Sequence, residues 1–312
     1  MSTVSSPTGG PAIQVQTLRS PLLLNAAFSG ANGLLLILAS PMVAAWLGPQ
    51  ATWIYELVGV GLLLFGLTLS IVAVRPTPLA VLAITGADVA WVVSTTVTLL
   101  VWRHDFTSLG WGLVLATNAV VSVLAWFQQR SIRTAFQAPS GAPDEYQVCI
   151  AVNTPVAADA FWSVLADLGA IQRYMPALKS SALTVGETSG VGCVRTCENI
   201  KGQVWSEECD QWDEGRSFSV TFLTDAHGFP FPFSKMRGGW RVAPNATGCR
   251  VEVWWQVVPR RPATAAVVLP LMAAGAQRSF AGVVERMAGV AQGRTIDSGT
   301  LSALPRFHAV LC

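Results

Sequence analysis

A chain of 312 residues has room for about two domains of ordinary size. Only 12% of its residues are charged, about half the ~25% usual in soluble proteins, while 52% are hydrophobic and the mean hydropathy is +0.47; disorder and a wholly water-soluble globule are poor fits. A net charge of +2 without a basic run gives nucleic-acid binding no electrostatic footing, because phosphate neutralisation needs clustered Lys and Arg.

The charges are unevenly placed. Residues 1–137 hold five Arg and no Lys against Glu56, Asp88 and Asp105, so the chain divides into a membrane half and a water-soluble half. A polar tail occupies residues 1–21. Four apolar stretches follow at 22–47, 53–74, 78–102 and 108–127, each long enough to cross ~30 Å of hydrocarbon. Short, breaker-rich connections at 48–50, 75–77 and 103–107 predict an all-α four-helix up-down membrane bundle. Arg19, Arg75, Arg130 and Arg133 fall on one side and Arg103 alone on the other, so the positive-inside rule predicts a multi-pass inner-membrane (cell-membrane) protein with both termini cytoplasmic. Trp46, Trp53, Trp102 and Trp111 bracket the outer loops and Trp126 the inner end, as headgroup-level rings do. A cleaved signal peptide ending near Leu38-Ala39-Ser40 is disfavoured, since the apolar run continues to Leu47 behind a long polar lead.

Inside the bundle, Asp88 falls near the middle of the third span, where a carboxylate requires a partner. Thr85 and Thr95 share its helical face, and Asn32 and Asn118 lie at similar depth. A protonated carboxyl hydrogen-bonded between helices is favoured over a headgroup site or proton relay. Small residues four apart, Ala26 with Gly30, Gly66 with Ser70 and Gly112 with Ala116, predict close helix packing.

Residues 128–144 have linker composition, ending in Ala-Pro-Ser-Gly-Ala-Pro. The pattern then changes period: a strand at 146–152, a helix opened by Asn153-Thr154-Pro155, and six alternating strands between 181 and 258. A long closing helix, kinked at Pro270, ends near 290 and leaves a tail at 293–312. All six cysteines lie in this half without metal-ligand spacing, and a cytoplasmic domain predicts free, mostly buried thiols.

This order resembles the SRPBCC superfamily of START-like and polyketide cyclase/dehydrase-like domains over about 145–292. The resemblance rests on Asn153-Thr154-Pro155 with Ala160-Phe161-Trp162-Ser163-Val164, on Tyr174-Met175-Pro176, and on Gly190-Val191-Gly192. The strand at 205–212, Gly239-Trp240-Arg241-Val242-Ala243-Pro244 and the strand at 249–258 complete it. It implies an α+β helix-grip domain, a curved antiparallel sheet around a C-terminal helix, with an apolar cavity for a lipid, isoprenoid or polyketide. The four spans resemble no particular family. Phe218, Phe222, Met236, Trp240 and Trp255 stand on strand faces that must turn inward, and are the candidate ligand-binding residues. Phe231, in the stiff Phe229-Pro230-Phe231-Pro232-Phe233 loop, joins them as a lid.

No catalytic residue, cofactor motif or metal site emerges. His227 stands in a turn without a partner, and Arg195, Glu207, Glu208, Asp210, Lys235 and Arg237 read as solvated strand faces. The favoured function is a membrane-anchored cytoplasmic domain that binds a hydrophobic ligand for carriage, sensing or presentation, its partners being that ligand and the bilayer. A membrane-tethered cyclase or dehydratase is the alternative, and a docking module for other membrane proteins the third.

Overall fold

The computed structural model describes residues 14–48, 51–296 and 305–312, in two compact units, one from Gln14 to Ala135 and one from Phe136 onward. Most of the expected polar N-terminal tail, part of the first loop and part of the C-terminal tail lie outside the described residues.

The first unit contains α1 (Arg19–Leu38), α2 (Ser40–Leu47), α3 (Thr52–Val74), α4 (Pro78–Val101) and α5 (Ser108–Ala135). The first expected span is thus two helices. Pro41 has no amide to continue the helical ladder across Ala39, and the Ser40 hydroxyl at the break donates to Glu56 Oε1 of α3 at 2.7 Å. The fourth runs past its expected end at Phe127 to Ala135, which carries Gln128 into the bundle, fully buried. At the start of α4, Thr77 Oγ1 accepts from the Ala80 amide and Pro78 takes a position that needs no donor.

Four of these helices, α1 with the 3-10 turn before it, α3, α4 and α5, are long and apolar enough to cross a membrane. On α3 alone Leu57, Leu64, Ile71 and Val74 are each 60–72% exposed, a surface suited to lipid rather than water. Packing pairs α1 with α3 and α4 with α5, and α1 also meets α5. Gly33 and Gly59 set the α1–α3 crossing, since a Cβ on either would lie 2.8 Å from the other's carbonyl oxygen. Gly66 packs against Ala26 and Gly30 as the spacing predicts, whereas Gly112 faces open space and is no helix contact.

The second unit runs β1 (Tyr146–Thr154), α6 (Ala158–Leu165), a 3-10 turn (Leu168–Arg173), β2 (Leu178–Val185), β3 (Val194–Asn199), β4 (Val204–Asp213), β5 (Ser217–Phe222), β6 (Phe233–Asn245), β7 (Gly248–Pro259), α7 (Ala265–Ala291) and β8 (Ala309–Leu311). The strands form one antiparallel sheet in the order β2-β3-β4-β5-β6-β7-β1-β8, and α7 packs against it at β1, giving the helix-grip architecture. Strand β7 buries every second residue, Cys249, Val251, Val253, Trp255 and Val257, on the face toward α7. Helix α7 also meets the length and hydropathy of a membrane span, but it carries fourteen buried residues, Leu269, Ala273, Val284 and Met287 among them.

Strand β8 was not foreseen, and with it the thiol expectation fails. Its register on β1 pairs Ile150 with Leu311, which brings Cys312 beside Cys149, and the two form a disulfide. The other four cysteines are free and buried. Burial pushes the Cys209 thiol up to about 12 and Cys249 up to about 11, so both stay protonated and unreactive at neutral pH.

Candidate functional site

Residues opposite one another across an antiparallel pair share a face, so register alone assembles the inner surface. One row runs Trp212, Phe218, Trp240, Val253, and a second runs Arg195, Glu207, Phe222. Met236 stands opposite Val257, and Trp255 opposite Gly238. The side chain of Phe280 on α7 closes on this surface, with ring centroids 5.6 Å from Trp240 and 5.0 Å from Trp255. Gly238 leaves room for these rings: a Cβ would stand 3.1 Å from Trp255 and 3.3 Å from Phe222, so the rings would have to shift by a few tenths of an ångström.

Five of the six candidate residues divide among three ring clusters. Trp240 and Trp255 meet through Phe280. Phe218 stacks on Trp212 at 5.6 Å and meets Trp162 of α6 edge-on, while both indoles donate to Glu214, at 2.8 and 2.6 Å. Phe222 and Phe231 meet at the other end, where Phe231 lies 5.4 Å from both Trp205 and Phe229, so the Phe-Pro loop folds back over the ends of β4 and β5. Met236 is buried without a ring partner of its own.

Beside the Trp205, Phe222 and Phe231 cluster lies a polar centre that the sequence reading assigned to solvent. Arg195 and Glu207 are 8% and 4% exposed and form an ion pair across β3 and β4. Arg195 Nη1 also donates to the Leu168 carbonyl at 3.0 Å, and Trp205 Nε1 donates to Glu207 Oε1 at 2.6 Å. Burial by itself would lower the guanidinium's pKa, but the adjoining carboxylate outweighs it and holds Arg195 charged, above its ordinary value. Its Nε is buried and has no acceptor. Glu208, Asp210, Lys235 and Arg237 do stand on the outer face as expected. There Asp210 accepts from Arg237 at 2.8 and 3.0 Å and from Ser219 and Thr221, and Arg237 lies over the Trp254 ring. Burial raises the Asp210 carboxyl, and these donors more than offset it, leaving it below the usual carboxylate range.

A cleft of about 270 Å³ opens at the ends of β5, β6 and β7, where Glu145, Lys235, Arg237 and Gln256 meet Phe222 and Met236. His227 is exposed in its turn, and among the described residues no group of three or more His, Cys, Asp or Glu is placed to hold a metal ion.

In the bundle, Asp88 is buried, and its Oδ2 accepts from Asn25 Nδ2 at 2.7 Å and Gln128 Nε2 at 2.9 Å. Thr85 Oγ1 donates to Gln128 Oε1 at 2.7 Å, and Ser29 to Asn25 at 3.2 Å, tying α1, α4 and α5 together. Asn118 forms a separate layer with Thr95 and Thr96, and among the described residues Asn32 bonds to Phe28 of its own helix. Sequence reading missed Asn25 and Gln128; Gln128 sits just beyond the apolar run that defined the span.

Residues 147–292 match the family model described as polyketide cyclase/dehydrase and lipid transport. No curated protein matches the chain. Among solved structures, norcoclaurine synthase from Thalictrum flavum, in complex with dopamine and hydroxybenzaldehyde, is 14% identical over 49% of this chain and 90% of its own, with a TM-score of 0.39. A protein from Thermobifida fusca is 21% identical over 48% and 97%, with a TM-score of 0.39, and one from Mesorhizobium loti 14% identical over 48% and 99%, with a TM-score of 0.36.

Proposed function

We propose that residues 147–292, which match the polyketide cyclase/dehydrase and lipid transport family model, bind an apolar molecule carrying an uncharged carbonyl or hydroxyl oxygen, for carriage, sensing or presentation beside a membrane. The observation that carries the proposal is the Arg195–Glu207 pair set among the inner-face rings. The rings supply apolar surface, and the buried Arg195 Nε–H supplies a donor with no acceptor, a costly state that a ligand oxygen relieves. Glu207 already balances the guanidinium, so a carboxylate ligand would bring an uncompensated charge into the same site. The Phe229–Phe233 loop acts as the lid. Native mass spectrometry of the purified protein tests for a bound apolar molecule. A melting titration with a long-chain alcohol, a quinone and a fatty acid then tests its class: a ligand that binds the folded state must raise the midpoint. A rise with the fatty acid alone refutes the assignment, and no rise with any of the three removes the binding function.

The helices of the first unit anchor the chain in this proposal as four crossings, with both termini cytoplasmic on the four-to-one arginine bias. The Cys149–Cys312 disulfide favours a second reading, with the domain on the oxidising side, since cytosolic thiols are kept reduced. An alkaline-phosphatase fusion after Val290 decides between them. Activity of that fusion overturns the cytoplasmic orientation.

A further inference from the structure

Antiparallel pairing fixes which loops share an end of the sheet. The turn after β3, the loop after β5, the segment after β7 and the start of β1 all lie at one end. That end is unusually apolar for a water-facing surface. Ile200 is 68% exposed, Val204 51%, Leu223 40%, and Val267 and Leu271, one turn apart on α7, are 47% and 53%. Isolated exposed aliphatics are ordinary, but five clustered at one end of a domain mark an interaction surface. Lys201, Lys235, Arg260 and Arg261 are exposed around them, against Asp225 in the loop after β5 and Asp144 and Glu145 just before β1. The opposite end differs in charge: its β2–β3 turn exposes Val185 and Val191 beside Glu187 and has no cation.

We propose that this end of the domain docks on an anionic lipid bilayer, with Ile200, Leu223 and Leu271 at the acyl boundary and Lys201 and Arg261 at the headgroups. Aliphatic tips ringed by cations match the two layers of such an interface, apolar below and negative above. Phe136 bonds through its carbonyl to the Gln147 amide at the start of β1, so the chain enters the domain at this end. The inference rests on the ligand-binding reading and deepens it: the Phe-Pro lid and the cleft between β5, β6 and β7 open at this same end, so the ligand is taken directly from the bilayer.

The test uses the full chain in vesicles of phosphatidylcholine with phosphatidylglycerol, carrying an environment-sensitive fluorophore on Ile200→Cys, Leu271→Cys or Val191→Cys. The native cysteines are buried or disulfide-bonded and leave the introduced thiol as the labelling site. Nitroxide-bearing lipid is expected to quench positions 200 and 271 at least threefold more than position 191, and Lys201→Gln with Arg261→Gln to reduce that difference. Equal weak quenching at all three positions overturns the proposal, as does protection of 200 and 271 from aqueous iodide without lipid quenching, which marks contact between copies of the chain. The melting titration does not depend on lipid contact, so failure here and failure of ligand binding are read separately.

Discussion

Neutralising one member of the Arg195–Glu207 pair leaves the other charge buried on the inner face. Glu207→Gln keeps the side-chain shape and the acceptor for Trp205 Nε1, but Arg195 remains 8% exposed without its counter-charge. Breaking a buried pair in this way costs about 3–5 kcal/mol. For a domain of this size each kcal/mol moves the midpoint by roughly 2–4 °C, so the melting temperature should fall by about 10 °C. Arg195→Met should cost a similar amount by stranding Glu207. The double variant Arg195→Met/Glu207→Leu removes both charges at comparable volume, and should come within about 1 kcal/mol of the parent or exceed it. Thermal unfolding of the full chain reads these shifts, and hydrogen exchange of the β3 and β4 peptides assigns the transition to this domain. Single variants within about 1 kcal/mol of the parent would mean that the pair is solvated. A double variant as unstable as the worse single would show that packing, rather than charge, holds these strands.

Three further outcomes follow from the geometry. Trp240→Ala removes a ring packed on Phe280 and should destabilise by about 3–5 kcal/mol in denaturant titration, while weakening ligand-induced stabilisation only if the ring also lines the bound ligand. Asp88→Leu strands the Asn25 and Gln128 amides and should cost about 0.6–2 kcal/mol in detergent unfolding, whereas Asp88→Asn keeps an acceptor at that site and should cost less; equal losses would show that the network is not what matters. The Asp210 carboxyl is depressed in the fold, so its stabilising effect is complete above its unfolded value of about 4 and fades as pH falls through the lower folded value. The urea midpoint should therefore drop below about pH 4 less steeply in Asp210→Asn than in the parent.

The long helices and the strands were legible because each rests on a local pattern: an apolar run long enough to cross hydrocarbon, and alternation for a half-buried strand. All five inward candidates on β5, β6 and β7 are buried in the structure for that reason. The break at Ala39-Ser40 was less visible, since Ser40 and Pro41 matter only once Glu56 stands opposite. Partner choice inside the bundle was not legible at all. Asp88 pairs with Asn25 and Gln128, 63 and 40 residues away, and Asn32 at similar depth turns back to its own helix. Hydropathy places residues at a depth and is silent on rotation about the helix axis. Strand β8 was likewise invisible, because three residues at a chain end carry too little alternation to register.

Arg195 and Glu207 are a different case, because the signal was present and pointed inward. Cys193, Arg195 and Cys197 alternate along one strand, and Trp205, Glu207 and Cys209 along the next. In each, a charged residue stands between two residues of the kind most often buried, on the face that period 2 assigns to the core. Charge by itself argued for solvent, and the two flanking pairs argued for the interior. A lone buried charge is prohibitive, so the alternation becomes credible only when two such strands carry opposite charges and pair in register. Here they do: Arg195 stands directly opposite Glu207, and Val194 opposite Glu208 on the outer face. A shift of the register by one residue would place Arg195 opposite Glu208 and Glu207 opposite Thr196, leaving Glu207 without its counter-charge. The ion pair therefore selects the register of β3 on β4, and through it the position of Trp205, on which the lid ring Phe231 rests.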